Sequence, residues 1–454
     1  MAFQPIGQLD LGLLLQIAFT KGAMVQANKS QREWDMISKM RDGNPNGRQR
    51  NFLFVNGLGY AAAQSSNPTY TASFPKAQKA SIQEYTAYYK NFDVTVELEY
   101  NLWKSAQLTP EKYADPLAQE IELKAVVARR ILGTYLFGDG TGVYGEIASA
   151  TDDTDADTVT VTLASDDSDP GHVRWFQIGD IFKTLQPNGT AQATPPSVSG
   201  TLYGWEVVNI LPKTNQVVFA PVNAAYSKLA LTASNFAAGN VFYRVGQQDI
   251  PNLASISDYG TASDIMPGLG SLVAADGRVV HGITMSGAAA GTILDCGGNA
   301  IDVDYFQEGL DEVDMRVGKG EFSYKMAVMA PEARAALIAS RETDRRFNVV
   351  TDALRGGKGF GYMHDEDTVL YTPSEFCPKN RIYVLPENKV NGNKVLSYFG
   401  TDFEPVVGPE GSKFHLKPSA DGGHEKNIIT YMENRGTLVC HRPASILTLR
   451  NFTV

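Results

Sequence analysis

The chain has 454 residues, 43% hydrophobic and 20% charged, with 42 Gly, 22 Pro and 20 Tyr, a length for about three domain-sized units and a composition that excludes a disordered chain. A formal net charge of -10 excludes broad adhesion to nucleic acid, which takes clustered Lys and Arg against phosphate. Cys296, Cys377 and Cys440 lie far apart without CxxC spacing, which excludes a disulfide framework or zinc ribbon and suits a reducing compartment.

The apolar run from Leu9 to Phe19 has no Lys or Arg before it and is shorter than the roughly 20 residues of a membrane span. It reads as a segment that docks on the body or on a neighbour, not as a signal. Residues 1–50 read as an arm with little core, closing on the turn-rich Arg41-Asp42-Gly43-Asn44-Pro45-Asn46-Gly47. Residues 51–104 read as a long hairpin and its leading strand. There Phe92, Val94, Val96, Leu98, Tyr100 and Leu102 alternate with Asp93, Thr95, Glu97, Glu99 and Asn101, the period of two of a strand. The polar, proline-punctuated stretch from Gln64 to Lys76 suits the hairpin's far end. Because an isolated pair of strands is marginal in water, its partner is expected from another subunit.

Residues 105–150 carry a helix and its stop. Asp115 and Pro116 supply an N-cap and first helical position, with Glu120 and Glu122 near the positive helix end. Leu117, Ile121, Ala125, Ala128, Leu132, Tyr135 and Leu136 recur at steps of three and four, and Lys124, Arg129 and Arg130 fall toward the C-terminal half, which predicts a long amphipathic helix. Gly138, Gly140 and Gly142 end it.

Residues 151–246 read as a β module. The acidic runs Asp152 to Asp157 and Asp166 to Asp169 flank one short strand, Val159 to Leu163, and read as solvated loop. Strands are predicted at 176–182, 205–211, 215–219 and 240–245, separated by Gly, Pro and Asn turns, a spacing that suggests a small barrel or sandwich. Residues 247–454 have mixed character, with helices over 302–317 and from Pro331 through Ala339. Strands are predicted at 326–329, 369–371, 381–385, 396–399 and 446–452. The architecture is α+β with a β insertion.

Chemical motifs fail in detail. Gly140-Thr141-Gly142-Val143-Tyr144-Gly145 fits GxGxxG, but a dinucleotide site needs that turn between a strand and a helix, and here a helix precedes it. In Arg355-Gly356-Gly357-Lys358-Gly359 a phosphate loop's first Gly is Asp352 and its Ser or Thr is Gly359, so the stretch reads as a mobile loop. Asp153, Asp155 and Asp157 open like an EF-hand, yet Thr158 and Ala164 replace the required Gly and Glu. The six histidines form no HExxH pair, no GxSxG supplies a nucleophile, and Cys440 and His441, adjacent on a strand, face opposite ways. No reaction class, metal or cofactor is indicated.

The run from Asp115 to Gly145, a capped helix ending in Phe137-Gly138-Asp139-Gly140-Thr141-Gly142 and followed by Tyr144-Gly145-Glu146-Ile147, resembles the spine helix and glycine turn of tailed-phage major capsid proteins with the Hong Kong 97 fold. The order of arm, long hairpin, strand, spine helix and α+β body is similar to that family too, as is the Met326-Ala327-Val328-Met329-Ala330-Pro331 junction. The resemblance covers most of the chain outside residues 151–246. It implies an N-terminal arm, extended loop, spine helix and peripheral and axial domains (residues 247–454 completing the last two), with 151–246 inserted as a small β-barrel or sandwich. It implies a structural protein, not an enzyme, assembled in the host bacterial cytoplasm into pentameric and hexameric rings of an icosahedral head that encloses double-stranded DNA; an acidic wall lets that DNA slide. The short arm implies a separate scaffolding protein. A portal is implied as a partner, a decoration protein is allowed, and neither a cofactor nor a membrane is implied. Inter-subunit contacts are expected at the hairpin tip (Tyr70, Phe74, Lys76, Lys79) and on the spine helix (Arg129, Arg130). Crosslinking through Lys76 or Lys79 is not expected. The alternative is a β-rich adhesin or tail protein binding carbohydrate through exposed Tyr and Trp.

Overall fold

The computed structural model describes residues 36–41, 49–57, 81–99, 127–128, 130–153, 158–164, 173–186, 204–222, 236–244, 253, 256–260, 265–342, 350–352, 357–359, 361–364, 367–389, 394–400, 404–405, 415–418 and 424–454. The Leu9 to Phe19 run, the hairpin tip with Tyr70, Phe74, Lys76 and Lys79, the N-cap expected at Asp115, and Arg129 lie outside the described residues. The fold is mixed α/β.

The first sheet is organised around His424–Cys440, a strand of 17 residues, about 55 Å at the usual rise. One flank carries Leu396–Gly400, from Leu396 opposite Cys440 to Gly400 opposite Gly436, and then Glu404–Pro405 and His415–Pro418. Lys90–Glu99 lies antiparallel along the other flank, from Lys90 opposite Gly436 to Glu99 opposite Asn427. Ile37–Arg41 extends the sheet in parallel beside Leu396–Gly400. The alternation of residues 92–99 thus belongs to a strand that pairs with the far end of the chain.

The second sheet has the order Thr292–Asp295, Leu447–Arg450, Arg381–Asn388, Phe322–Met329, Asp367–Pro373, Gly361–His364. Helix Val303–Val317 starts where the Asp302 side chain accepts the Val303 N–H at 2.6 Å and ends at Gly318, whose φ is 106°. It buries Phe306, Gly309, Leu310, Val313 and Val317, one face at helical spacing. Gly309 lets Leu447 of the sheet come close: a Cβ there would stand 2.7 Å from its Cδ1. Helix Pro331–Glu342 follows Met329 with Pro at its start, where the missing N–H costs nothing.

Between residues 145 and 244 the chain closes a six-stranded barrel in the order Val241–Arg244, Gly145–Asp153, Thr158–Leu163, Gln216–Pro221, Trp205–Leu211, Ile181–Leu185. Closure leaves no strand edge open to pair with another chain. Val159, Val161 and Leu163 point inward in alternation, as do Val217 and Phe219, while Phe176 and Phe236 plug the interior from the connecting turns. Phe219 stacks on Phe242 with centroids 4.8 Å apart.

Three expectations change. The strand expected at 176–182 is a 3-10 turn at Val173–Trp175, a bend through Gly179 at φ 88° and a strand that starts only at Ile181. The acidic stretch expected as loop is, where described, the first barrel hairpin: Gly145–Asp153 pairs with Thr158–Leu163. Ile147, Val159, Val161 and Leu163 are buried and Asp152 and Asp153 end the first strand of the pair, so charge density misleads there. The loop expected at 355–361 contains Gly357–Gly359, which pairs with Val350–Asp352; Gly-Lys-Gly has no side-chain alternation to announce a strand.

Candidate functional site

The chain is helical at 127–128 and 130–137, and everything the fold does around it depends on how it stops. Gly138 N donates to Thr134 O at 2.9 Å as the last helical bond. Asp139 Oδ1 then accepts the Thr141 N–H at 2.9 Å and the Thr141 hydroxyl at 2.5 Å, and Thr141 Oγ1 accepts the Val143 N–H at 3.2 Å. Gly140 and Gly142 take φ of 82° and 81°, a left-handed region that only glycine enters without cost. The chain leaves this turn directly into barrel strand Gly145–Asp153. Helix, turn and strand therefore follow in the reverse of the order a dinucleotide cradle needs.

A second turn clasps the helix end. Gly270 N donates to Gly138 O at 3.1 Å, supplying a donor to carbonyls a helix leaves unpaired. Gly268 lies so close that a Cβ on it would stand 2.1 Å from Tyr135 O. On the other side, Arg130 Nη2 donates to Arg174 O at 3.1 Å and Phe176 O at 3.3 Å, so Arg130 serves the fold of its own subunit by holding the barrel's entry turn to the helix. Trp175 Nε1 donates to Phe376 O at 2.8 Å and Arg174 pairs with Glu332, which links barrel, helix and second sheet. Trp175→Phe removes that buried bond and leaves part of the indole's volume empty in the core, so it should cost about 2–3 kcal/mol. Urea unfolding that leaves the variant as stable as the parent would remove the link.

The hairpin root is the other built surface. Gln49–Gly57 and Ser81–Tyr88 pair with each other in a sheet of their own, from Gln49 opposite Tyr88 to Gly57 opposite Ser81. Their described base is anchored by aromatics: Phe52 stacks on Tyr85 at 5.3 Å and meets Phe399 at 4.6 Å, and the Arg50 guanidinium lies over Phe399 at 4.8 Å. Tyr85 and Ala87 are buried. Beneath them Val279–Val280 and Ile283–Thr284 are joined by His281 and Gly282 at φ 54° and 79°, a two-residue turn of the kind that matches strand twist. Asp258 holds the turn, its Oδ1 accepting the N–H groups of His281 and Gly260 and its Oδ2 that of Gly282, all at 2.8 to 2.9 Å.

His281 sits 3% exposed beside Tyr85 and Cys440. Its Nε2 donates to Leu438 O at 3.3 Å, which leaves Nδ1 without a hydrogen-bond partner. Burial pushes its pKa down to about 4, and burial pushes the Cys440 thiol up to about 12. Sequence reasoning missed this site; its one signal was Val-Val and Ile-Thr around His281-Gly282, the pattern of a tight hairpin. His441, adjacent to Cys440, packs on Phe52 at 6.2 Å and meets Ser397 Oγ at 2.9 Å.

Among the described residues no group of three His, Cys, Asp or Glu side chains is placed to hold a metal ion, and no helix is long and apolar enough to cross a membrane.

Among the described residues, fold and site together define a mixed α/β protein with two six-stranded sheets, joined through a helix stop to a closed barrel, and with a separately paired hairpin rooted on the body. Among solved structures it is similar to a chain of the cyanophage A-1(L) capsid asymmetric unit, at 11% identity over 92% of this chain and 91% of that one, with a TM-score of 0.43. It is similar also to a chain of the capsid of a native GTA particle, at 11% identity over 92% and 89% with a TM-score of 0.40, and to one from Mycobacterium phage Adephagia, at 8% over 92% and 89% with a TM-score of 0.41. No protein-family model and no curated protein matches the chain.

Proposed function

We propose that the chain is the major capsid protein of a tailed double-stranded DNA bacteriophage, with the Hong Kong 97-type fold, and that its work is mechanical. The observation that carries this reading is the arrangement around the helix stop: a hairpin whose described strands pair with each other, a strand after it running along the 17-residue strand, then helix, glycine turn and mixed sheet. A hairpin of this kind is marginal without a neighbour to lie on, and the sequential contacts of a shell subunit supply one. Such heterologous contacts close into rings of five or six, and the rings tile an icosahedral head around the genome.

In this reading residues 1–50 are the arm, 51–104 the extended loop and its strand, and 105–150 the spine helix and turn. The barrel is an insertion, and 247–454 completes the peripheral and axial domains. The hairpin-tip residues Tyr70, Phe74, Lys76 and Lys79 reach a neighbour, as do Arg129 and Arg130 on the helix that supports both neighbours. A separate scaffolding protein and a portal complete the assembly pathway, and the barrel gives a decoration protein a place to sit.

The test is negative-stain imaging of the expressed full chain with and without a co-expressed scaffolding protein. Closed shells are expected. Small soluble oligomers under both conditions, with binding to a glycan panel, would replace this reading with that of an adhesin or tail protein.

A further inference from the structure

A cavity of about 90 Å³ lies where the glycine turn, the 269–275 turn and the rim of the second sheet meet, room for several waters or one tetrahedral oxyanion. Its floor is a block on two adjacent strands: Arg381 lies directly opposite Arg450, and Tyr383 directly opposite Thr448. Residues two apart on a strand share a face, so two guanidiniums, a phenol and a hydroxyl are carried on one side. Arg278 lines the cavity from its roof, fixed by its two-pronged bond to Asp276 and by Tyr259 beneath it at 4.5 Å. Like charges directly opposite across strands repel, and an anion between the two guanidiniums relieves that repulsion; the Arg450 side chain also meets Asp295 at 3.5 Å. Thr448 is 4% exposed and its hydroxyl has no hydrogen-bond partner, an arrangement that costs free energy unless something in the cavity bonds to it.

We propose that this cavity is a phosphate site. Arg381 and Arg450 hold two oxygens and Thr448 donates to a third. The cavity also presents one carboxylate, Asp139, whose Oδ1 is already held by Thr141. A carboxylate repels a fully ionised anion but accepts a hydrogen bond from one that keeps a proton. Phosphate keeps a proton near neutral pH, and sulfate does not. Asp139 therefore selects free phosphate over sulfate and over the proton-less diester of a nucleic-acid backbone, and a monoester, whose second pKa is about 6, offers it a proton only below neutral pH. The site does not depend on the shell reading.

The experiment is titration of the full chain with sodium phosphate, sodium sulfate and sodium chloride at matched ionic strength, read by calorimetry and thermal melting. Phosphate should bind and raise the melting temperature, with sulfate at least tenfold weaker. Arg381→Gln should weaken phosphate about tenfold or more, the worth of a charge-assisted bond. If that variant fails to fold, Arg450→Gln, at a side chain 41% exposed, makes the same test. Asp139→Asn, which keeps the turn's acceptor, should abolish the preference over sulfate. A competition arm with thymidine 5′-monophosphate against thymidine separates the sources: displacement of phosphate by the nucleotide alone assigns the site to a phosphomonoester, and no displacement assigns it to free phosphate. Phosphate behaving like chloride, or binding unchanged in the arginine variants, overturns the site. An unchanged sulfate ratio in Asp139→Asn overturns the selection by Asp139.

Discussion

Gly268→Ala should destabilise the subunit by roughly 3 kcal/mol or more, because overpacking against fixed atoms is among the few single changes that reach that size. Gly268 has φ -101° and ψ -165°, a conformation open to any residue, so the cost is steric and not conformational. A Cβ there would stand 2.1 Å from Tyr135 O and 2.6 Å from both Leu136 O and Gly138 O. All three are backbone atoms of a helix end, which no side-chain rotation can move aside. The helix would have to lift from the 268–270 turn, and with it would go the bond from Gly270 N to Gly138 O. Gly277→Ala is the control: φ is 78° with open space around the site, so only left-handed strain of about 1–2 kcal/mol is expected. Urea unfolding followed by tryptophan fluorescence orders the two variants. Equal losses, or a smaller loss at Gly268, would mean that the clasp on the helix end is not where the fold is tight.

How much of this was legible depended on whether the signal was local. Helix Val303–Val317 was readable because Asp302 caps it, Phe306, Leu310, Val313 and Val317 repeat at helical spacing, and Gly318 ends it. The helix stop at Gly138 was equally plain. The longest strand, His424–Cys440, passed unseen, since Glu433-Asn434-Arg435-Gly436 interrupts its apolar pattern with residues poor in strand propensity. It is held by partners far away in sequence: Tyr398 covers Gly436 and its hydroxyl donates to Asn434 Oδ1 at 2.5 Å, while Lys90–Glu99 runs along the other side. The barrel was legible as a β module, but its first strand was not, because Gly145 and the acids after Thr151 read as turn and loop. The clasp by Gly268 and the His281 turn needed three-dimensional neighbours that no spacing reveals.

Those neighbours make His281 the residue by which acid should weaken this fold. Its pKa is 6.5 in an open chain and about 4 when folded, with burial the largest cause, opposed by its bond to Leu438 O and the nearby Asp258 carboxylate and reinforced by Lys90. The folded state therefore prefers the neutral ring, and the unfolded chain takes up the proton first. Stability from this group is fully present above about pH 6.5, falls as pH drops, and is gone once pH passes below about 4, a loss of about 3 kcal/mol. Burial depresses His441 in the same direction, so the steepest loss is expected between those limits. His281→Asn tolerates the φ of 54° and the tight turn while removing the titration. It should be less stable than the parent at pH 7.5, having lost the ring against Tyr85, yet should lose far less on going to pH 4.5. Denaturant unfolding of unassembled subunits at the two values decides it, and parallel pH slopes for parent and variant would discard His281 as the cause. Because the ring lies under Tyr85, and Tyr85 under the hairpin through Phe52, the first structure to loosen in acid should be the hairpin root. Amide exchange in residues 81–88 should therefore quicken before exchange in the barrel does.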